Sequence, residues 1–253
     1  MKLGIISDVH SNLPALKTVL DHLEGKGIDQ LICCGDVVGY GPNPNECIEL
    51  LRDWGVTSVV GNHDQIGLKR ESSSRLNSMG KAAIKWTRKV LTKSSKDFLA
   101  GLPKERELEV EGYEPRLKLV HGAPMDPLWT YIMDQREAYL SFRNLDQSHP
   151  IALFGHTHLP RIFAQHGEDI DRLEASSNNG GVNLKEDRKF LINPGSVGQP
   201  RDGNWRTSFA VMEFEDGVTV DHRRLEYNAE ETRDMILRAG LPQKLGDRLL
   251  VGK

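Results

Sequence analysis

Short apolar runs alternate with amphipathic helical stretches at the start of the chain, and that alternation leaves few folds open. Residues 3–7 read as a strand, and residues 13–23 as a helix with Leu16, Val19, Leu20 and Leu23 at helical spacing. Asn12 is placed to cap that helix, and Gly25 and Gly27 to close it. Residues 28–34, 44–54 and 56–60 continue as strand, helix and strand. Units of this kind build a parallel sheet through crossover connections. Further on, residues 117–120, 151–154 and 190–192 read as strands and 135–142 as a helix. Residues 208–214 and 218–225 read as a hairpin across Glu215-Asp216-Gly217. Asn228 opens a last long helix, with Glu231 three residues on as in a capping box, and Gly240 ends it; Leu241, Leu245 and Leu249 form a final apolar stripe. Two stretches are polar: 65–102, mostly helical, and 167–187, with a turn at 176–181. No repeat and no Pro-, Gly- or Ser-rich linker divides the chain, so a single α/β domain over 1–253 is expected.

The 253 residues carry 33 Lys and Arg against 36 Asp and Glu, a formal net charge of −3. A general nucleic-acid binder shows a basic excess, which argues against that class here. A small phosphorylated substrate, possibly derived from a nucleotide, and held by metal, stays compatible with this charge. No apolar run reaches the roughly 18 residues that a membrane span needs. The passage from Met1 to Ser7-Asp8 is too short for a secretory leader. Cys33, Cys34 and Cys47 make no disulfide framework, and Cys33-Cys34 inside an apolar strand read as buried free thiols. A reducing, cytoplasmic address is therefore expected.

Polar residues stand just past the apolar strands: Ser7-Asp8-Val9-His10, Gly35-Asp36, Gly61-Asn62-His63-Asp64, His121-Gly122 and Gly155-His156-Thr157-His158. In open α/β sheets the carboxyl ends of strands converge on one crevice, so these five strand ends can deliver their side chains to one place. Asp8 and His10 stand two apart, as do His156 and His158, and an extended chain points each such pair the same way. Imidazole, carboxylate and amide oxygen without thiolate suit Mn, Fe, Co, Ni or Zn. Asp8, His10, Asp36, Asn62, His121, His156 and His158 exceed one ion's needs, and with one shared carboxylate they supply four contacts to each of two. Two divalent ions, two carboxylates and a bridging hydroxide leave one positive charge, a seat for a phosphoryl group. Paired ions about 3.5–4 Å apart stabilise both the attacking and leaving oxygens of an in-line displacement.

The ordered set Asp8-x-His10, Gly35-Asp36, Gly61-Asn62-His63-Asp64, His121 and Gly155-His156-x-His158 resembles the five signature blocks of the calcineurin-like metallophosphoesterase superfamily. Asn193-Pro194-Gly195-Ser196-Val197 resembles a further stretch of its small bacterial and archaeal phosphodiesterase branch. The resemblance implies a four-layer α/β/β/α sandwich of two mixed β-sheets. It implies that Asp8, His10 and His158 hold one metal, that Asn62, His121 and His156 hold the other, and that Asp36 bridges them. It also implies that His63 sits near the leaving group with Asp64 orienting it. Position argues the same for His63: in an extended stretch after Asn62 the next side chain turns from the metal toward the substrate. Residues 65–116 depart from many relatives and read as a mostly helical, cap-like insertion.

The expected function is hydrolysis of a soluble phosphodiester or phosphoanhydride by direct attack of metal-bound hydroxide. A phosphomonoesterase, protein phosphatases included, is the enzymatic alternative. A non-catalytic scaffold of the same fold is the other, and a degraded block would be its mark; no block is degraded. Tyr40, Trp129, Tyr131 and Arg201 are weighed between substrate contact and simple packing and are left outside the site. His22, His149, His166 and His222 belong to no block and are assigned to the surface.

Overall fold

In a computed structural model, which describes residues 1–146, 148–173 and 181–253, the period-two alternation of β1 (Lys2–Ile6) sorts its side chains between two cores. Leu3 and Ile5 enter one, Ile6 the other. Chain order continues with α1 (Leu13–Leu23), β2 (Gln30–Cys33), α2 (Pro44–Asp53), β3 (Thr57–Ser58), α3 (Asn62–Gly67), α4 (Ser78–Val90) and α5 (Lys93–Gly101). Then come β4 (Glu105–Val110), β5 (Tyr113–Val120), α6 (Gln135–Phe142), β6 (Ile151–Leu153), β7 (Pro160–His166) and β8 (Asp169–Leu173). The chain closes with β9 (Val182–Leu184), β10 (Lys189–Pro194), β11 (Thr207–Glu215), β12 (Gly217–Leu225), α7 (Ala229–Arg238) and α8 (Gln243–Asp247).

The strands form two six-stranded sheets, ordered β3-β2-β1-β11-β12-β9 and β4-β5-β6-β10-β7-β8. Both are mixed: β1, β2 and β3 run parallel while β11 pairs β1 antiparallel, and β6 lies parallel to β5 and β10 while β7 is antiparallel to β10. Leu3, Ile5 and Ile32 of the first sheet meet Leu117, Leu119, Ile151, Leu153 and Ile192 of the second in a shared core. On the outer face of the first sheet, Ile6, Leu31 and Cys33 pack against α1 and α2. On the outer face of the second, Ala152, Phe163 and Leu191 meet Ala138 and Phe142 of α6. The result is the four-layer α/β/β/α sandwich. Its helices are held by apolar stripes: Leu16, Val19, Leu20 and Leu23 of α1 are all buried, each contributing roughly 1.5–3 kcal/mol relative to exposure.

Several expected elements differ. Only Thr57–Ser58 of 56–60 pairs as a strand, and Asn62 already belongs to helix α3. The insertion expected over 65–116 is helical only through Gly101; Glu105–Val110 and Tyr113–Val120 form an antiparallel hairpin at the edge of the second sheet. The polar stretch 167–187 contains strands β8 and β9, and of its expected turn residues 176–180 lie outside the described residues. His222 is not on the surface: β12 turns it inward, where it is 4% exposed and its Nε2 lies 2.7 Å from the Asn193 carbonyl oxygen. The Asn228 side chain does cap α7, accepting from the Glu231 amide.

Candidate functional site

The ends of β1, β2, β5 and β6, with the start of α3, bring Asp8, His10, Asp36, Asn62, His121, His156 and His158 together at one edge of the sandwich. None of the seven is more than 4% exposed. Their backbone is not extended as the two-residue spacings suggested. Asp8, His10, Asp36, His156 and His158 all adopt left-handed conformations, with φ of 52°, 46°, 54°, 65° and 61°. Such a conformation costs a non-glycine residue about 1–3 kcal/mol, so the surroundings must hold it. They do so through the backbone: the Asp8 and His10 amides donate to the carbonyls of Gly35 and Asp36, and the Gly198 amide donates to Asp8. Ser196 Oγ also donates to the Asp8 carbonyl, while Asn193 Nδ2 ties Gly155 and Thr157 in place. Glycine is required at two close approaches. A Cβ on Gly61 would lie 2.1 Å from Asp36 Oδ1, and one on Gly155 would lie 2.0 Å from Ser7 Oγ.

Two donor groups are apparent. Asp8, His10 and His158 form one, and Asp36, His121 and His156 the other, with the donor atoms of each within 4.8 Å of one another. In the first, His10 Nε2 lies 3.2 Å from His158 Nε2, and Asp8 Oδ1 lies 3.4 Å from His158 Nε2. In the second, His121 Nε2 lies 3.1 Å from His156 Nδ1, 3.0 Å from Asn62 Oδ1 and 3.4 Å from Asp36 Oδ2. Asp36 Oδ2 also lies 3.7 Å from His10 Nε2, so this one oxygen faces both groups. Its other oxygen accepts the His63 backbone amide at 2.8 Å.

The outward-facing ring nitrogens decide what the inward-facing ones present. His10 Nδ1, His121 Nδ1 and His158 Nδ1 meet the carbonyls of Val38, Cys34 and Gln199 at 3.1, 2.8 and 2.6 Å, and His156 Nε2 meets that of Trp129 at 3.2 Å. A carbonyl only accepts, so each of these nitrogens carries the proton and the opposite nitrogen of a neutral ring shows a lone pair. Two lone pairs at 3.2 Å repel; a cation between them attracts both. Donors about 2.1 Å from a shared ion sit roughly 3.0–3.5 Å apart, which matches these separations. Asp8 Oδ1 is buried without a hydrogen-bond partner among the described residues. The residues therefore fit divalent metal at both groups.

Charge in the site follows the same logic. Burial holds His10 and His158 well below the usual histidine range, and burial with the nearby His121 charge takes His156 down to about 3. Burial also opposes a charge on His121, but the Asp36 and Asp8 carboxylates outweigh it and lift the imidazole to about 9. Burial opposes the Asp36 charge too, and His121 and His63 overcome it, keeping the carboxyl well below the carboxylate range. Burial raises Asp8 to about 6. With no metal bound, a proton on His121 beside Asp36 supplies part of the positive charge that the site calls for, and that proton must leave before Nε2 can serve as a ligand.

His63 and Asp64 are both buried beside this cluster, but they are not paired. Asp64 accepts from the backbone amides of Gly61, Val37 and Val38 at 2.9, 3.3 and 2.9 Å. It braces the Asp36 loop against the start of α3 and does not orient the His63 ring, contrary to the role expected of it. The reason is local: α3 begins at Asn62, so Asp64 turns back to cap the helix. His63 Nδ1 has no hydrogen-bond partner among the described residues, and its ring packs 4.5 Å from Tyr40 and 4.9 Å from His10, at the wall of a cavity of about 350 Å³.

That cavity also shows what sequence reasoning passed over. Tyr40, Trp129, Tyr131 and Arg201 all line it, together with Arg75, Asn77 and Arg248, which no pattern had marked. Tyr131 stacks on His156 at 3.8 Å, and the Arg75 guanidinium lies 4.6 Å from the Trp129 ring centre.

Residues 1–217 match the family model of the calcineurin-like phosphoesterase superfamily domain. The chain belongs to this superfamily. It is 38% identical over 253 residues to protein MJ0912 of Methanocaldococcus jannaschii, spanning 99% of this chain and 98% of that one. A metallophosphoesterase of Sphaerobacter thermophilus of known structure is 37% identical and superposes with a TM-score of 0.80, covering 100% of this chain and 99% of the other. The phosphodiesterase YfcE of Escherichia coli is 25% identical over 215 residues, 81% of this chain and 83% of that one. This phosphoesterase is thus a phosphoester hydrolase of a metal-dependent family, with two buried groups of metal-type donors. No helix among its described residues is long and apolar enough to cross a membrane.

Proposed function

We propose that this enzyme is a binuclear phosphoesterase that hydrolyses a small, soluble phosphodiester or phosphoanhydride. Asp8, His10 and His158 would hold one ion and Asn62, His121 and His156 the other, with Asp36 between them. The observation that carries this reading is the position of Asp36 Oδ2, 3.7 Å from His10 Nε2 and 3.4 Å from His121 Nε2. Manganese, iron, cobalt, nickel and zinc all suit such a donor set. When bound, the ions supply Lewis acidity and an activated water for in-line displacement at phosphorus.

The chain's own residues do the remaining work. The four carbonyls behind the histidines fix ring orientation and tautomer. His63 lines the cavity while its Nδ1 is buried against Gly39, so Nε2 is the ring nitrogen left to hydrogen-bond the leaving oxygen. Ser7 Oγ donates to Asp8 Oδ2 and Ser196 Oγ to the Asp8 carbonyl, so both hydroxyls are committed. Burial pushes the Cys33 thiol up to about 12 and those of Cys34 and Cys47 higher than usual, leaving them inert as nucleophiles. This supports direct attack by water. The three buried free thiols also support a reducing, cytoplasmic setting. YfcE, named a phosphodiesterase, supports the diester side of the reading. The segment from α3 to α5 supports the cap reading, since Arg75, Leu76 and Asn77 close one wall of the cavity, within a single domain over 1–253.

Hydrolysis of a phosphorus-chiral diester in isotopically labelled water tests the reaction. Inversion at phosphorus is expected; net retention would mean a covalent phosphoenzyme and would overturn the proposal.

A further inference from the structure

Three arginines from distant parts of the chain, Arg75, Arg201 and Arg248, line the cavity over the metal-type donors, and Asp36 is the sole carboxylate among the described residues that line it. None of the three pairs with an Asp or Glu side chain among the described residues. Arg201 is held by neutral groups: its Nη2 donates to Gln199 Oε1 at 3.0 Å, and its guanidinium lies 5.8 Å from the Tyr40 ring centre. Its Nε is buried with no hydrogen-bond partner among the described residues. Arg248 donates from Nε to a carboxyl oxygen of Lys253, the last residue, and burial with the neighbouring Arg201 charge presses its guanidinium below the ordinary arginine range. Arg75 lies over Trp129. The N-terminus of α4, thirteen residues long, reaches the same cavity through its cap residue Asn77, adding a positive helix end.

Such a cluster is unfavourable by itself, because unpaired guanidinium groups repel one another in a partly desolvated space. Its charge exceeds what one phosphodiester requires. With two divalent ions, the two carboxylates and a hydroxide, the donor site already carries one positive charge, which a single diester anion neutralises. Arg75 and Arg201 add two more, with Arg248 beside them sharing its charge with the Lys253 carboxyl. A second phosphoryl group, joined directly to the first, offsets that excess and gives Arg201 Nε an acceptor, in the geometry where guanidinium groups bind phosphate well. Tyr131, stacked on His156 yet 46% exposed, offers a ring for a planar group at the mouth.

Building on the proposed phosphoesterase reading, we infer that Arg75, Arg201 and Arg248 form a subsite for a second, adjacent phosphoryl group, so that the enzyme takes substrates with a nucleoside oligophosphate chain. Specificity for that chain comes from the arginines, and the chemistry from the site beneath them.

Calorimetric titration of the manganese-loaded protein with AMP and with ADP tests the subsite without relying on turnover. ADP is expected to bind about tenfold tighter than AMP, the increment of one added charge-assisted phosphate contact. Arg75→Gln, Arg201→Gln and Arg248→Gln should each narrow that gap several-fold at an unchanged melting temperature; the exposed Arg75 gives the variant least able to disturb folding. Equal affinities in the parent protein, or a gap unchanged in all three variants, would overturn the inference. Turnover of bis(4-nitrophenyl) phosphate is measured beside it. A protein that prefers ADP yet hydrolyses no phosphoester would keep the subsite and defeat the functional reading instead.

Discussion

Replacing Asp64 separates two roles that the same residue could be given. Its carboxylate accepts three backbone amides, from Gly61, Val37 and Val38, and is fully buried. Hydrogen bonds to a charged acceptor contribute about 1.5–3 kcal/mol each, and a buried amide left bare costs about 1–3 kcal/mol. Burial, then the Asp36 charge, push the Asp64 carboxyl up to about 7, so part of the charge benefit is absent at neutral pH. Asp64→Ala should therefore cost about 3–6 kcal/mol rather than the full sum, a large share of the roughly 5–15 kcal/mol that holds a typical domain. Asp64→Asn keeps one acceptor oxygen and should cost about half as much. Urea unfolding should show a lower midpoint at unchanged slope for both variants. Because the brace joins the Asp36 loop to Asn62, metal affinity should fall with stability. The ratio of turnover on an alkyl diester to that on a nitrophenyl diester should not move. Stability within about 0.5 kcal/mol of the parent, ordinary for a surface change, together with a collapsed ratio, would mean that Asp64 works through the His63 ring after all.

Two other outcomes are expected. His63→Ala should keep both metals and slow an alkyl diester by about 10²–10⁴-fold, with a much smaller loss on a nitrophenyl ester; metal analysis and paired kinetics check it, and equal losses would argue against help to the leaving group. Burial takes His222 down to about 4 from its ordinary 6.5, so the unfolded chain binds a proton there that the folded chain refuses. Stability should then fall as pH drops from 6.5 toward 4, by roughly 3 kcal/mol from this group, and urea midpoints of His222→Gln should lack that part of the slope.

The parts of this molecule that could be read in its sequence are those written as local contrasts. An apolar run ending in Asp, Asn or His marks a strand that delivers a polar side chain to an edge, and Asp8, Asp36, His121 and His156 are all of this kind. The spacing of Leu16, Val19, Leu20 and Leu23 marks α1 equally plainly. Strand β4 carries no such contrast. Its sequence Glu-Arg-Glu-Leu-Glu-Val is mostly exposed at the sheet edge, where charge protects against pairing with other chains, and so it blends into the polar insertion. The left-handed turns at Asp8 and His10 were illegible for another reason: those conformations are imposed by carbonyls of residues 35 and 36, supplied by a neighbouring strand end. His222 looked like a surface residue because the polar partner that makes its burial tolerable, the Asn193 carbonyl, comes from the other sheet. Arg75, Arg201 and Arg248 sit in unremarkable polar stretches, and only tertiary packing shows that they share a wall.

The account stands or falls on two ions joined through Asp36. Crystals grown in excess manganese, with diffraction recorded on both sides of the manganese absorption edge, measure this directly. Two anomalous peaks are predicted, one against Asp8, His10 and His158 and one against Asn62, His121 and His156, with Asp36 Oδ2 reaching both. A single peak, with His121 or Asn62 turned away from it, would contradict the account.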